Sequence, residues 1–295
     1  MKRLLFLLLL IPVLSFGQNT ITYGGKVVTY APSTYCAEYQ AVYDAYTTKP
    51  DAATAAIWNT CVEAWLANGE WVTKDVIYVY AAHTNGAGEA LINWKNPGTF
   101  DASEAGAQAG NFIFTAHEGL TSPASGEAYI NHNWNPTTDG VNFAQNSATM
   151  LWYIRTTGGN NGRHGISLSA DHNDFQFIPR YGTNMCYAMN NCDDNISAAS
   201  LDASGMWINT RTGASLTRVY RNKAVFIDGT TTSTGTPTVN PYTFMFNDDD
   251  TPTGMRVNEQ VSLFAAGAGM TQTQVNNFTD PFETAMDALG TGIIP

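Results

Sequence analysis

The chain has 295 residues, of which 44% are hydrophobic and only 13% charged, and it carries a formal net charge of −11. A phosphate backbone is gripped by clustered Lys and Arg, and this acidic chain offers no such cluster, which excludes nucleic acid as a partner. The length suits one large β domain with an appendage, or two ordinary domains.

The first residues read as a secretory signal peptide at 1–17. Lys2 and Arg3 form a positive start, Leu4 to Leu14 an apolar run, and Ser15 and Gly17 the small residues of a cleavage site before Gln18. The run falls short of the roughly 20 apolar residues that span a bilayer. Cleavage leaves 295 minus 17, or 278, residues and takes the charge from −11 to −13 with the loss of Lys2 and Arg3. No membrane span is expected after it.

Residues 18–70 read as an N-terminal segment with a helical hairpin. Residues 18–31 are rich in Thr, Tyr and Val and predict one strand. The spacing predicts a helix from Cys36 to Tyr46. A break follows at Thr47–Asp51, where Asp51 can cap a second helix. That helix carries Ile57, Trp58, Cys61, Val62, Trp65 and Leu66 on one wide apolar stripe, and Asn68-Gly69 stops it.

Residues 71–295 read as a β domain closed by a helical segment. Trp71–Ala82 is apolar on both faces, as a strand between two layers would be. Further β-rich runs recur between Gly, Asn, Asp and Pro clusters, among them Thr149–Thr156, Phe175–Arg180, Met206–Arg211, Ser215–Arg221 and Glu259–Ala265. Many short strands so punctuated indicate a sandwich or barrel. Near the end Thr271 and Gln274 form a capping box, and Pro281 predicts two short helices or a kink.

Four cysteines remain after cleavage: Cys36, Cys61, Cys186 and Cys192. An even count in an exported chain predicts disulfides. Cys36 and Cys61 each stand ten residues from the reversal at Tyr46–Asp51, which pairs them across the hairpin and leaves Cys186 with Cys192.

The residues supply no catalytic constellation. His117-Glu118 lacks the second His of a zinc protease helix, and no Gly-x-Ser-x-Gly elbow occurs. No Glu has Asp two residues later, the spacing by which one strand face presents paired carboxylates for glycoside hydrolysis. Asp171-His172-Asn173-Asp174 could be an acid/base or metal group, but Asn and Asp between two strands read better as a turn. Asn247, Asp248 and Asp250 could hold Ca²⁺ on a rim loop or form a solvated acidic turn. No other cofactor is required. Trp94 and Trp134 sit among amides, with Asn131 and Asn133 beside the second. They either grip a sugar or pack beneath their loops.

The order of segments then becomes informative. Asn68-Gly69-Glu70-Trp71 is followed by the strand Asp75–Ala82, then Ala90–Gly98, Met150–Arg155, Leu216–Asn222 and Val261–Gly267 ahead of the last helix. This order resembles the concanavalin A-like (LamG/laminin-G type) jelly-roll proteins of phage tails and virions. The resemblance implies a mainly β, two-sheet antiparallel jelly-roll sandwich with an N-terminal helical hairpin and short C-terminal helices. It also implies a non-enzymatic structural or host-surface recognition role. Asn222-Lys223 departs from the Asn-Gly usual at one hairpin. The signal peptide, unusual in a virion component, keeps a secreted adhesin or glycan-binding protein as the alternative; a divergent polysaccharide lyase or hydrolase ranks below both. The expected partners are a surface polysaccharide or other virion or cell-surface proteins.

Overall fold

The computed structural model describes residues 19–23, 26–30, 34–124, 126–157, 162–168, 173–182, 184–254 and 258–295. The segment at 1–17 and the pair Asp171-His172 lie outside the described residues. In chain order the elements are β1 (Asn19–Tyr23), β2 (Lys26–Tyr30), α1 (Ala37–Ala45), α2 (Ala52–Ala67), β3 (Lys74–Val79), β4 (Ser103–Ala105), β5 (Ile113–Thr115), β6 (Gly119–Thr121), β7 (Tyr129–Asn131) and β8 (Ala148–Ile154). The chain continues through β9 (His164–Ile166), β10 (Phe175–Tyr181), β11 (Met185–Ala188), β12 (Ile196–Ala199), β13 (Gly205–Gly213), β14 (Leu216–Arg221) and β15 (Ala224–Gly229). It closes with β16 (Tyr242–Thr243), β17 (Phe246–Asp248), β18 (Thr251–Thr253), β19 (Gln260–Gly267) and α3 (Gln272–Ala288).

Three layers result. The middle layer is a sheet in the order β15-β14-β13-β8-β19-β6-β5, with β3 also paired to β19. The outer layer is a second sheet in the order β12-β11-β10-β9-β16-β7-β4, joined by β17 and β18. Among the described residues, pairing is antiparallel except between β17 and β9. The helices form the third layer on the free face of the middle sheet.

Strand alternation explains the arrangement. In β3 and the residues just after it, Ile77, Val79 and Ala81 face the helices, while Val76, Tyr78 and Tyr80 face the outer sheet. Leu151 and Tyr153 divide from Met150, Trp152 and Ile154 in the same way on β8. A strand apolar on both faces needs a cover on each side, and here one cover is helical and the other is β. The fold class expected from sequence, a mainly β two-sheet sandwich, is the fold observed.

The helix caps follow the sequence. Asp51 accepts the Thr54 N–H at the start of α2, and Gly69 ends the helix at φ +77°. Thr271 and Gln274 close a capping box at the start of α3.

Three expectations are corrected. Residues 19–30 form a two-strand hairpin rather than one strand. Of the two arrangements expected at the C-terminus, the two short helices are not formed: the segment is one helix with Pro281 inside it. Proline there removes one helical hydrogen bond, at about 3 kcal/mol. Burial of Val275, Phe278, Phe282, Ala285 and Met286 on the same helix outweighs that cost.

The third correction concerns sulfur: Cys36, Cys61, Cys186 and Cys192 are all free thiols. Cys36 lies level with Asn59, whose Oδ1 accepts the Cys36 N–H at 2.8 Å. Cys61 is two residues further, and a helix advances about 100° per residue, so its thiol points to the far side, toward α3. Cys186 is enclosed between the sheets. Cys192 instead directs its Sγ to the Asp194 carbonyl at 3.2 Å.

Candidate functional site: a groove on the outer sheet

The outer sheet has one face in the core and one free face. On β10, Phe175 and Phe177 point inward, so Gln176 and Ile178 point outward. The register pairs Ile178 with Tyr187 and Phe177 with Ala188, which places Tyr187 outward on β11. Met189 follows it on the same side. These four residues floor an open cleft of about 240 Å³.

Loops and a neighbouring strand wall the cleft. Tyr181, at the end of β10, is 38% exposed and meets the Tyr187 ring edge to face at 5.8 Å. Asn195 is exposed at one end, and Phe246 of β17 is buried at the other. The Arg163 guanidinium lies over the Phe246 ring at 5.4 Å. Gln176 is held by its Nε2 donating to Ser167 Oγ at 3.1 Å. The lining therefore combines aromatic rings, amides and one cation, and among the described residues no carboxylate belongs to it. On the same sheet Tyr129 and Tyr242 stack at 4.1 Å, beyond β9.

Gly165 sits where these strands crowd together. It pairs with Gln176, Tyr242 and Phe246. Its φ is +106°, and a Cβ there would come 2.1 Å from the Phe175 carbonyl oxygen. Glycine is what allows β10 to close on β9.

The two buried histidines of this sheet are turned away from the groove. His164 is fully buried between the sheets, with Nε2 3.2 Å from Glu259 Oε2. Its Nδ1 accepts the Phe244 N–H, so the Nε2 proton is the one facing Glu259. His132 donates from Nδ1 to the Pro241 carbonyl at 2.7 Å and accepts from Tyr80 OH at Nε2. Burial pushes its pKa down to about 3, so the ring is neutral. Neither pair reaches the free face.

The residues singled out from sequence behave differently. Trp94 and Trp134 are each 1% exposed, so neither presents a ring face to a ligand. Trp94 packs edge-on to Trp58 at 5.3 Å, and Trp134 to Phe143 at 5.7 Å. Asn131 Oδ1 accepts the Asn133 N–H, and Asn133 Nδ2 donates to the Asp101 carbonyl. Both amides tie neighbouring segments together, Asn131 Oδ1 also accepting from Asn240 Nδ2 at 3.3 Å. Asn247 is buried and donates to the Asn240 carbonyl. Asp249 and Asp250 are left-handed, at φ +47° and +65°, and form the tight turn joining β17 to β18, with Asp248 at its entry. Among the described residues, no group of three His, Cys, Asp or Glu is placed to hold a metal ion.

The groove residues went unnoticed in the sequence because they come from five separate stretches. The one available signal was the alternation Phe175-Gln176-Phe177-Ile178, which separates two strand faces without telling which one meets solvent.

No family model and no curated protein sequence matches this chain. Solved structures do resemble it in fold. Domain 4 of a GH43 extracellular arabinanase from Geobacillus stearothermophilus, solved with arabinotriose, aligns with a TM-score of 0.49 at 13% identity. That alignment covers 70% of this chain and 98% of that one. The ligand binding domain of botulinum neurotoxin serotype D, solved with N-acetylneuraminic acid, gives 0.48 at 10%, covering 74% and 52%. A Trypanosoma rangeli sialidase gives 0.44 at 9%, covering 78% and 40%. Among the described residues, no helix is long and apolar enough to cross a membrane.

Proposed function

We propose that this protein is a non-enzymatic glycan-recognition protein that binds surface polysaccharide through the groove on its outer sheet. One observation carries the reading: Tyr181 and Tyr187 stand together on a free sheet face beside amide side chains and a guanidinium. An aromatic ring covers the apolar face of a sugar, and amides and guanidinium bond its hydroxyls. The floor lies on paired strands, so the contact groups are largely fixed before a ligand arrives. Such a protein serves equally on a phage particle or as a secreted adhesin, and proteomic analysis of purified particles separates the two.

A glycan array tests the proposal, with Tyr187→Ala as the control variant. Binding by the unaltered protein that drops tenfold or more in the variant supports it. An array without any bound glycan overturns it.

A second reading, a polysaccharide lyase, rests on Arg163 and Tyr187 lining one groove, since β-elimination needs a base and a cation near the sugar's carboxylate. Ultraviolet absorbance from an unsaturated sugar product, lost in Tyr187→Phe, would favour it over pure binding.

A further inference from the structure

The groove contains one cation whose donors no described residue accepts. Arg155, Arg180, Arg211, Arg218 and Arg221 each donate to a protein acceptor. Arg163 differs: among the described residues it has no hydrogen-bond or ion-pair partner, and its Nε is buried without one. Its stem is nevertheless held in place. It runs past Gly254, where φ is +120° and a Cβ would come 2.5 Å from Arg163 Cδ, and its guanidinium is seated on Phe246.

That combination is costly unless a ligand completes it. A partly buried guanidinium loses hydration, and unmade hydrogen bonds to it are a larger loss than those of a neutral group. In a chain with 25 acidic and 14 basic side chains, a carboxylate partner would be easy to supply, yet the described residues of the groove supply none. The fork of a guanidinium matches a planar carboxylate and also binds the oxygens of a sulfate.

We infer that the groove is selective for an acidic glycan, with Arg163 taking a sugar carboxylate or sulfate while Tyr187 and Tyr181 pack on the ring. This inference rests on the glycan-binding reading above and adds the ligand's charge to it. Arg163 is the specificity determinant, and the aromatic pair is indifferent to charge.

The experiment measures binding of polygalacturonate, dextran sulfate and uncharged dextran to the full chain and to Arg163→Gln, Arg163→Lys and Tyr187→Ala. Thermal melts check that each variant is folded. The expected result is at least tenfold tighter binding of one acidic polymer than of dextran. Arg163→Gln abolishes that preference, Arg163→Lys keeps part of it, and Tyr187→Ala weakens acidic and neutral ligands alike. Which acidic polymer binds tells carboxylate from sulfate. Should Arg163→Gln not fold, the acidic-to-neutral ratio of the unaltered protein and the Arg163→Lys variant still decide the matter. Equal binding of acidic and neutral polymers, or a preference that survives in Arg163→Gln, overturns the acidic selectivity and leaves glycan binding standing. Failure of every glycan overturns both.

Discussion

Trp65 and Phe278, 213 residues apart in the chain, stack with ring centres 4.6 Å apart and planes within 9°, and the Trp65 indole N–H donates to the Phe278 carbonyl at 2.9 Å. This contact pins α3 onto α2 and so closes the helical layer over the middle sheet. Phe278→Ala opens a cavity in a fully buried cluster, and the expected loss is about 3–5 kcal/mol. A double-mutant cycle with Trp65 should give a coupling of about 0.5–1.5 kcal/mol for the stack. Denaturant unfolding measures both, and a loss under about 1 kcal/mol would mean that the helices contribute little to holding the sandwich.

His132 makes stability depend on pH. Burial holds the folded ring's pKa down at about 3, against an ordinary value near 6.5. Between those values the unfolded chain binds a proton that the folded chain refuses. Stability from this residue is therefore complete above about pH 6.5 and declines with acid by up to about 1.4 kcal/mol per pH unit. Thermal melts between neutral pH and about pH 4 should reveal the decline. His132→Asn removes the titrating group, and an unchanged slope in that variant would refute the assignment.

Lys223 occupies a position better suited to glycine. Asn222 and Lys223, at φ +49° and +72°, form the two-residue turn between β14 and β15. The Asn-Gly usual at such a turn is absent, yet the turn type is kept. Lys223 reaches Asp280 at 2.7 Å, but the side chains are 39% and 58% exposed, and such a pair contributes about 0–1 kcal/mol. Removing the left-handed strain should at least balance that loss. Lys223→Gly is expected to leave stability unchanged or raise it by up to about 1 kcal/mol. A clear fall in melting temperature would assign the Lys223–Asp280 pair a larger role.

The thiols can be counted directly. Denaturation without reductant should expose four titratable thiols, Cys36, Cys61, Cys186 and Cys192. In the folded protein only Cys36 is partly accessible, and burial raises the pKa of Cys61 well above its ordinary value. Cys36 should therefore react first with a thiol reagent. Two thiols fewer in the denatured count would restore one of the bridges expected from sequence.

Local patterns were legible in the sequence because they depend on near neighbours. The capping box at Thr271, the stop at Gly69 and the two-faced apolar strand around Tyr78 all follow from spacing along the chain. So did the β class, since many short runs set between Gly, Asn, Asp and Pro clusters indicate a sandwich or barrel. The site did not follow. Trp94 beside Asn93, and Trp134 beside Asn133, look like sugar contacts in one dimension; in the fold Trp58, 36 residues from Trp94, and Phe143, nine residues from Trp134, pack against them. Arg163, Gln176, Tyr187, Asn195 and Phe246 acquire a common face only after β9, β10, β11 and β17 take their register. Short-range propensity sets which way a side chain alternates. Only long-range pairing decides which of the two faces is left to solvent, and a binding surface exists on that face alone.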